Sequence, residues 1–190
     1  MCFNGAKSWQ TGWYTDKTAV VNVGDCFEEN VYGISKFGDP SSEVVLVKIN
    51  DPSATDFYVT FNFKDGINSQ TQEAGNRVTI TSAAGEGSRT KYAVSTQLAK
   101  LFIGGQWSRI IGGKNMQVKV LSAHLGKGYA RIRISENGAD CNTSSPTNRI
   151  TSPPSPSPTK ATVRKECEVI LLLLLLLTIA HLYLSILILS

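Results

Sequence analysis

Phe57-Tyr58-Val59-Thr60-Phe61-Asn62-Phe63 decides the fold class of this chain. Phe57, Val59, Phe61 and Phe63 alternate with Tyr58, Thr60 and Asn62. A period of two sends the first set to one side of an extended backbone and the second set to the other. The stretch therefore predicts a strand with one buried face. Working outward, the alternation recurs at residues 117–121, with Val118 and Val120 inward and Lys119 outward. It recurs again at 129–134, where Ala130, Ile132 and Ile134 face in and Arg131 and Arg133 face out. Shorter apolar, β-branched runs mark further strands at 20–23, 31–34, 44–49, 77–81 and 110–111. Turn-forming residues separate them: Gly24-Asp25, Gly38-Asp39-Pro40, Asp51-Pro52, Asp65-Gly66, Gly104-Gly105 and Gly112-Gly113. Many short strands spaced by turns predict a mainly β domain over residues 18–140, an antiparallel sandwich. Residues 93–102 are the exception, because Leu98, Leu101 and Phe102 share a helical face and predict a turn or two of helix.

The two ends read differently. Residues 2–14 hold Phe3, Ala6, Trp9 and Trp13 at helical spacing, with Asn4 placed to cap the start and Gly12 to stop the helix. So short a helix cannot bury two indoles by itself, and its partner must lie elsewhere. From residue 141 the composition changes. Residues 141–168 form a Ser/Thr/Pro-rich linker containing Pro146, Pro153, Pro154, Pro156 and Pro158, which favours extended backbone and builds no core. Asn142-Thr143-Ser144 is a glycosylation acceptor, making Asn142 a candidate site. Residues 169–190 carry no charge and are nearly all Leu and Ile, long enough as a helix to cross a bilayer of about 30 Å. Arg164 and Lys165 precede them. This predicts a membrane partner, with the protein facing the outside of the cell. The run is either a retained C-terminal span or a glycolipid-anchor signal.

Composition narrows the function classes. The net charge of +4 comes from 19 basic and 15 acidic residues scattered without runs, which argues against nucleic acid as a partner. Cys2, Cys26, Cys141 and Cys167 are widely spaced and only two histidines are present, a poor basis for a structural zinc site. Widely spaced cysteines in such a chain suggest disulfides. Cys2 with Cys26 is the expected pair, since both flank the first helix and the following strand, with Cys141 an alternative partner for either. No charged-then-apolar leader follows Met1, so either the protein is cytosolic or Met1 is not the true beginning; the second is expected. No His-Glu-x-x-His, Gly-x-Ser-x-Gly or phosphate-loop pattern occurs. His124, at the end of an expected strand, and His181, in the apolar tail, read as tolerated residues rather than ligands. Glu43, Asp51, Asp56 and Asp65 offer oxygens for calcium, but solvated loop acids are the simpler expectation. The residues alone point to no active site.

Cys2-Phe3-Asn4-Gly5-Ala6-Lys7-Ser8-Trp9-Gln10 with Gly12-Trp13-Tyr14 resembles a segment of the gametolysin family of secreted zinc metallopeptidases. In that family a Cys-Phe-Asn-x-x-Lys-x-Trp-Gln-Leu-Gly-Trp pattern lies on the last helix of the catalytic domain; here Thr11 stands in place of Leu. The matching residues are Cys2, Phe3, Asn4, Lys7, Trp9, Gln10, Gly12 and Trp13. A weaker likeness runs on to about residue 135 through Gly24-Asp25-Cys26 and Gly66-Ile67-Asn68. The resemblance implies a C-terminal, non-catalytic region of an extracellular, membrane-anchored metalloendopeptidase, with residues 1–17 as the end of an upstream catalytic domain. Zinc would then belong to that upstream domain, and no catalytic or metal residue carries over to this chain. The alternative is a cell-surface sandwich on a stalk that binds a ligand by itself.

Overall fold

The computed structural model describes residues 4–53, 55–84, 94–141 and 148–149. Helix α1 (Gly5–Gln10) is followed by β1 (Thr18–Val21), β2 (Phe27–Tyr32), β3 (Leu46–Ile49), β4 (Thr55–Asn62) and β5 (Arg77–Ala84). Then come β6 (Ser95–Leu101), β7 (Gln106–Ile111), β8 (Lys114–His124), β9 (Tyr129–Glu136) and β10 (Asn148–Arg149). Among the described residues these strands form a six-stranded sheet, β10-β1-β3-β4-β5-β6, and a four-stranded sheet, β2-β9-β8-β7. The fold is mainly β with two sheets. Alternate residues of both sheets enclose one core, from Phe57, Val59, Phe61 and Ile80 on one side to Phe27, Met116, Ile132 and Ile134 on the other.

Among the described residues the strands pair antiparallel except β1 beside β3, which run parallel, and single parallel bridges join Val31 to Val44 and Gly33 to Phe61. The departure from a wholly antiparallel fold has a topological cause. The chain leaves β1, crosses to the other sheet as β2, and returns as β3 in its original direction. The turn between β7 and β8 is Gly112-Gly113, with φ of 55° and 80°. A two-residue hairpin of this twist needs two left-handed residues, which glycine supplies without a Cβ clash.

Strand β4 is buried on both faces, not one. Phe57, Val59 and Phe61 enter the core, while Tyr58, Thr60 and Asn62 on the opposite face are also nearly inaccessible. Helix α1 covers Tyr58 and Thr60, with Ala6 and Trp9 packed on Leu46, Tyr58 and Ala83. Asn62 donates to the Glu73 and Ala74 carbonyls of the β4–β5 connection. The helix thus finds its partner inside its own domain. It is shorter than residues 2–14: Asn4 Oδ1 accepts the Lys7 N–H at 3.1 Å, and the helix ends at Gln10, before Gly12 at φ 75°. Trp13 lies beyond its end, with its ring edge toward Tyr14 at 6.2 Å.

Residues 95–101 form a strand rather than helical turns. The register of β5 against β6 shifts between Ile80, opposite Ala99, and Thr81, opposite Gln97. Leu98 is the extra residue of that bulge, so Leu98 and Leu101 both approach the core although three positions apart. A bulge thus mimics helical spacing. Cys26 pairs with Cys141 at a Cα separation of 5.5 Å, so the expected Cys2–Cys26 bond does not form. Cys26 immediately precedes β2, and Phe27 of β2 faces Ile134 of β9, which brings the turn after β9 back to Cys26. Asn4 Nδ2 donates to Ser95 Oγ at the start of β6 at 2.8 Å. The glycosylation candidate Asn142, the linker and the apolar run 169–190 lie outside the described residues. Among the described residues, no helix is long and apolar enough to cross a membrane.

Candidate functional site

The motif residues within the described chain have local structural roles. Asn4 caps α1, and Lys7 Nζ donates to Gln10 Oε1 at 3.1 Å. Gln10 is buried, Trp9 seals the sheet, and Gly12 turns the chain at positive φ. Cys2 and Phe3 lie outside the described residues. Trp9 also roofs a buried ion pair: Lys48 Nζ sits 2.9 Å from Asp56 Oδ2 and 5.2 Å from the indole centroid. Their side chains are only 7% and 6% exposed, and Asn50 Oδ1 accepts a further hydrogen bond from Lys48 at 2.7 Å. Without those partners so buried a charge would be strongly disfavoured. Burial, and then the neighbouring Asp56 carboxylate, push the Tyr58 phenol well above its ordinary range. Asp56 is therefore neither a solvated loop acid nor available as a calcium ligand. Asp65 is held by Lys36 at 2.9 Å, and Asp51 accepts the Ser53 N–H, so the four acids do not converge. Among the described residues no three His, Cys, Asp or Glu side chains gather as a metal site.

The outer face of the four-stranded sheet carries the densest polar array. Glu28 of β2 faces Arg133 of β9, and Asn30 faces Arg131. Arg133 Nε donates to Glu28 Oε2 at 2.6 Å, and Arg131 Nη2 donates to Oε1 at 2.9 Å. Asp140 binds the other arm of Arg133. Burial opposes ionisation of Glu28, but the two arginines outweigh it and hold the carboxyl below its usual range. The next row is aromatic: Tyr32 lies 5.3 Å from Tyr129, which lies 4.8 Å from His124. Burial first, then Tyr129 and the carboxylates of Glu43 and Asp39, raises the Tyr32 phenol. A recess of about 320 Å³ runs between Glu28, Asn30, Tyr32, Glu43 and Arg131. A second, of about 350 Å³, lies on the six-stranded sheet beside α1 and is lined by Gln70, Thr71, Gln72, Glu73 and Gln97.

These surfaces offer hydrogen bonds, ionic contacts and aromatic edges. His124, the one histidine among the described residues, is exposed at the end of β8 and meets Tyr129. Both described cysteines are consumed in the disulfide. The sequence pattern marked Arg131 and Arg133 as outward-facing but did not reveal Glu28 or Tyr32, whose cross-strand partners lie about a hundred residues away. Compared with family models, curated proteins and solved structures, the chain matches none.

The Glu28 cluster sets a pH prediction. Its folded carboxyl is lowered by the arginines, so it contributes stability that is fully present above the ordinary glutamate pKa of about 4.3. That contribution fades as pH falls through the lowered folded value. Glu28→Gln is therefore expected to flatten the acid limb of a stability-against-pH curve below about pH 4.3, as read by urea midpoints. An unchanged acid limb would show that the cluster is not coupled to folding.

Proposed function

We propose that this chain is a non-catalytic binding module of the cell surface, held to the membrane through residues 169–190 and presenting its sandwich outward. The observation that carries this reading is the packing of α1. With Trp9 only 6% exposed against Tyr58, Leu46 and Ala83, the indole completes the module itself. Burial of Trp9 within its own domain supports a self-contained module. The Cys26–Cys141 disulfide adds support, because such bonds persist in oxidising compartments. Ligands would meet the Tyr32–Tyr129–His124 row and the Arg131–Glu28 recess beside it. Aromatic edges next to fixed hydrogen-bonding groups suit polar, ring-bearing ligands such as glycans.

A second reading keeps the gametolysin resemblance at face value: the module is the C-terminal region of a membrane-anchored zinc metalloendopeptidase, placed after its catalytic domain. The Cys2-to-Tyr14 motif favours it. Expression of the full chain in a eukaryotic secretory host separates the two. A binding module yields monomeric protein with one cooperative unfolding transition and glycosidase-sensitive mass at Asn142. Aggregated protein that is recovered only by co-expressing an upstream metallopeptidase domain would overturn the module reading. Mass without any glycan, on protein still retained in the cytosol, would overturn the surface location.

A further inference from the structure

Four large apolar side chains stand in solvent at one end of the domain. Ile67 is 77% exposed, Phe102 63%, Ile103 58% and Leu125 48%. They sit in separate connections: Ile67 in the 3-10 turn Gly66–Asn68, Phe102 and Ile103 between β6 and β7, and Leu125 between β8 and β9. The strand register brings these connections together. Val78 faces Leu101 and Phe61 faces Val78, so β6 ends where β4 ends. Gly33 forms a bridge with Phe61 and donates to the Gly128 carbonyl, so the β8–β9 turn lies at that same end. Singly exposed apolar residues are ordinary, but turns favour polar residues, and four such side chains sharing one end mark an interaction surface.

Three features identify what covers it. Cations flank the apolar tips: Lys64 and Lys127 belong to the same connections, and Arg77, which opens β5, sets its guanidinium 5.5 Å from the Phe102 ring centroid. In the β4–β5 connection, the carboxylates of Asp65 and Glu73 are each held by a lysine, Lys36 and Lys100, at 2.9 Å. Asp16, Asp39 and Glu43 stand in the connections that lead into β1 and β3 at this end. The chain direction agrees. Antiparallel β10 sets Asn148 opposite Val20 and Arg149 opposite Ala19, so the backbone leaves heading toward Thr18. Thr18 faces Leu46, and Leu46 faces Thr60, which places this exit at the end bearing the apolar tips. The sequence beyond it continues to the uncharged run 169–190. The other exposed large apolar residues, Val94 and Ile110, lie at the opposite end, beside the start of β6 and the β7–β8 turn.

We propose that this end rests on a phospholipid bilayer, with Ile67, Phe102, Ile103 and Leu125 entering the headgroup–acyl boundary and Lys64, Arg77 and Lys127 meeting lipid phosphates. The inference rests on the membrane-anchored reading above. Apolar tips ringed by long cationic side chains are suited to that boundary, because the stems lie along the acyl region while the charges reach the phosphates. Docking in this pose turns the Cys26–Cys141 end and the β7–β8 turn away from the membrane. It leaves Glu28 and Arg133, farther along β2 and β9, open to ligands, whereas the Tyr32–Tyr129–His124 row borders the docked β8–β9 turn.

The test uses the full chain reconstituted in phosphatidylcholine vesicles containing phosphatidylserine. In a Cys2→Ser, Cys167→Ser background, a polarity-sensitive fluorophore is attached at Ile103→Cys or, as the control, at Ile110→Cys. Acyl-chain nitroxide lipids are expected to remove about half of the Ile103 emission and to leave the Ile110 emission unchanged, with aqueous iodide giving the reverse order. Equal iodide quenching at both positions overturns the docking. Protection of Ile103 from iodide without lipid quenching also overturns it, by assigning the surface to a second copy of the chain. Carbonate extraction reads the anchor separately. Release of the chain overturns the anchored reading, whereas retention with an iodide-accessible Ile103 overturns the docking alone.

Discussion

Trp9→Ala is expected to destabilise the domain by about 3–5 kcal/mol, the range for deleting a large aromatic side chain from a packed site. The indole is 6% exposed and fills the space between α1 and the outer face of β3, β4 and β5, against Leu46, Tyr58 and Ala83. Its removal leaves a cavity there and uncovers Lys48 and Asp56, whose charges would then meet water entering beneath the helix. For a domain of this size the loss amounts to a fall in Tm of roughly 6–20 °C. Trp13→Ala, at a half-buried site beyond the helix, should cost only about 1 kcal/mol. Thermal melts of the two variants side by side check the expectation. If Trp9→Ala melts within a degree or two of the parent, the indole faces a partner outside the domain, and the self-contained module is wrong.

The double replacement Cys26→Ser with Cys141→Ser is expected to cost about 4–5 kcal/mol. The bond joins residues separated by 115 positions, and releasing a loop of that length gives the unfolded chain a large gain in conformational freedom. The folded state is held locally by other means. Asn137 N–H donates to the Asn115 carbonyl at 2.8 Å, and Asp140 pairs with Arg133. The native structure should therefore persist without the bond while the unfolded ensemble expands. Urea titration should show a lower midpoint together with a steeper slope, since the uncrosslinked unfolded chain exposes more surface. A loss below about 1 kcal/mol would mean that the loop is already restricted in the unfolded state.

Local pattern carried much of the fold. Alternation at 57–63, 117–121 and 129–134 placed β4, β8 and β9 and named their core side chains, because a strand with an apolar face writes its period directly into the sequence. Asn4 and Gly12 marked the limits of the first helix because capping and positive φ are set by nearest neighbours. What failed was long-range. The bulge at Leu98 produced helical spacing in a strand, and only pairing with β5 reveals it. Cys26 chose Cys141 over Cys2 because β2 pairs with β9, a contact across more than a hundred residues.

The candidate site divides along the same line. Arg131 and Arg133 were visible as outward-facing residues, but their ionic partner Glu28 comes from a strand far away in sequence. The sequence placed Phe102 on a helical face with Leu98 and Leu101 and singled out neither Ile103 nor Leu125; the strand register gathers all three at one end. By itself the sequence determined a mainly β chain with a capped N-terminal helix, since alternation and capping act within a few residues. Tertiary structure alone decided that the helix covers its own sheet, that β1 and β3 run parallel, and which cysteines meet. Those outcomes depend on the crossing of β2 to the second sheet, and such a crossing leaves no local mark in the chain.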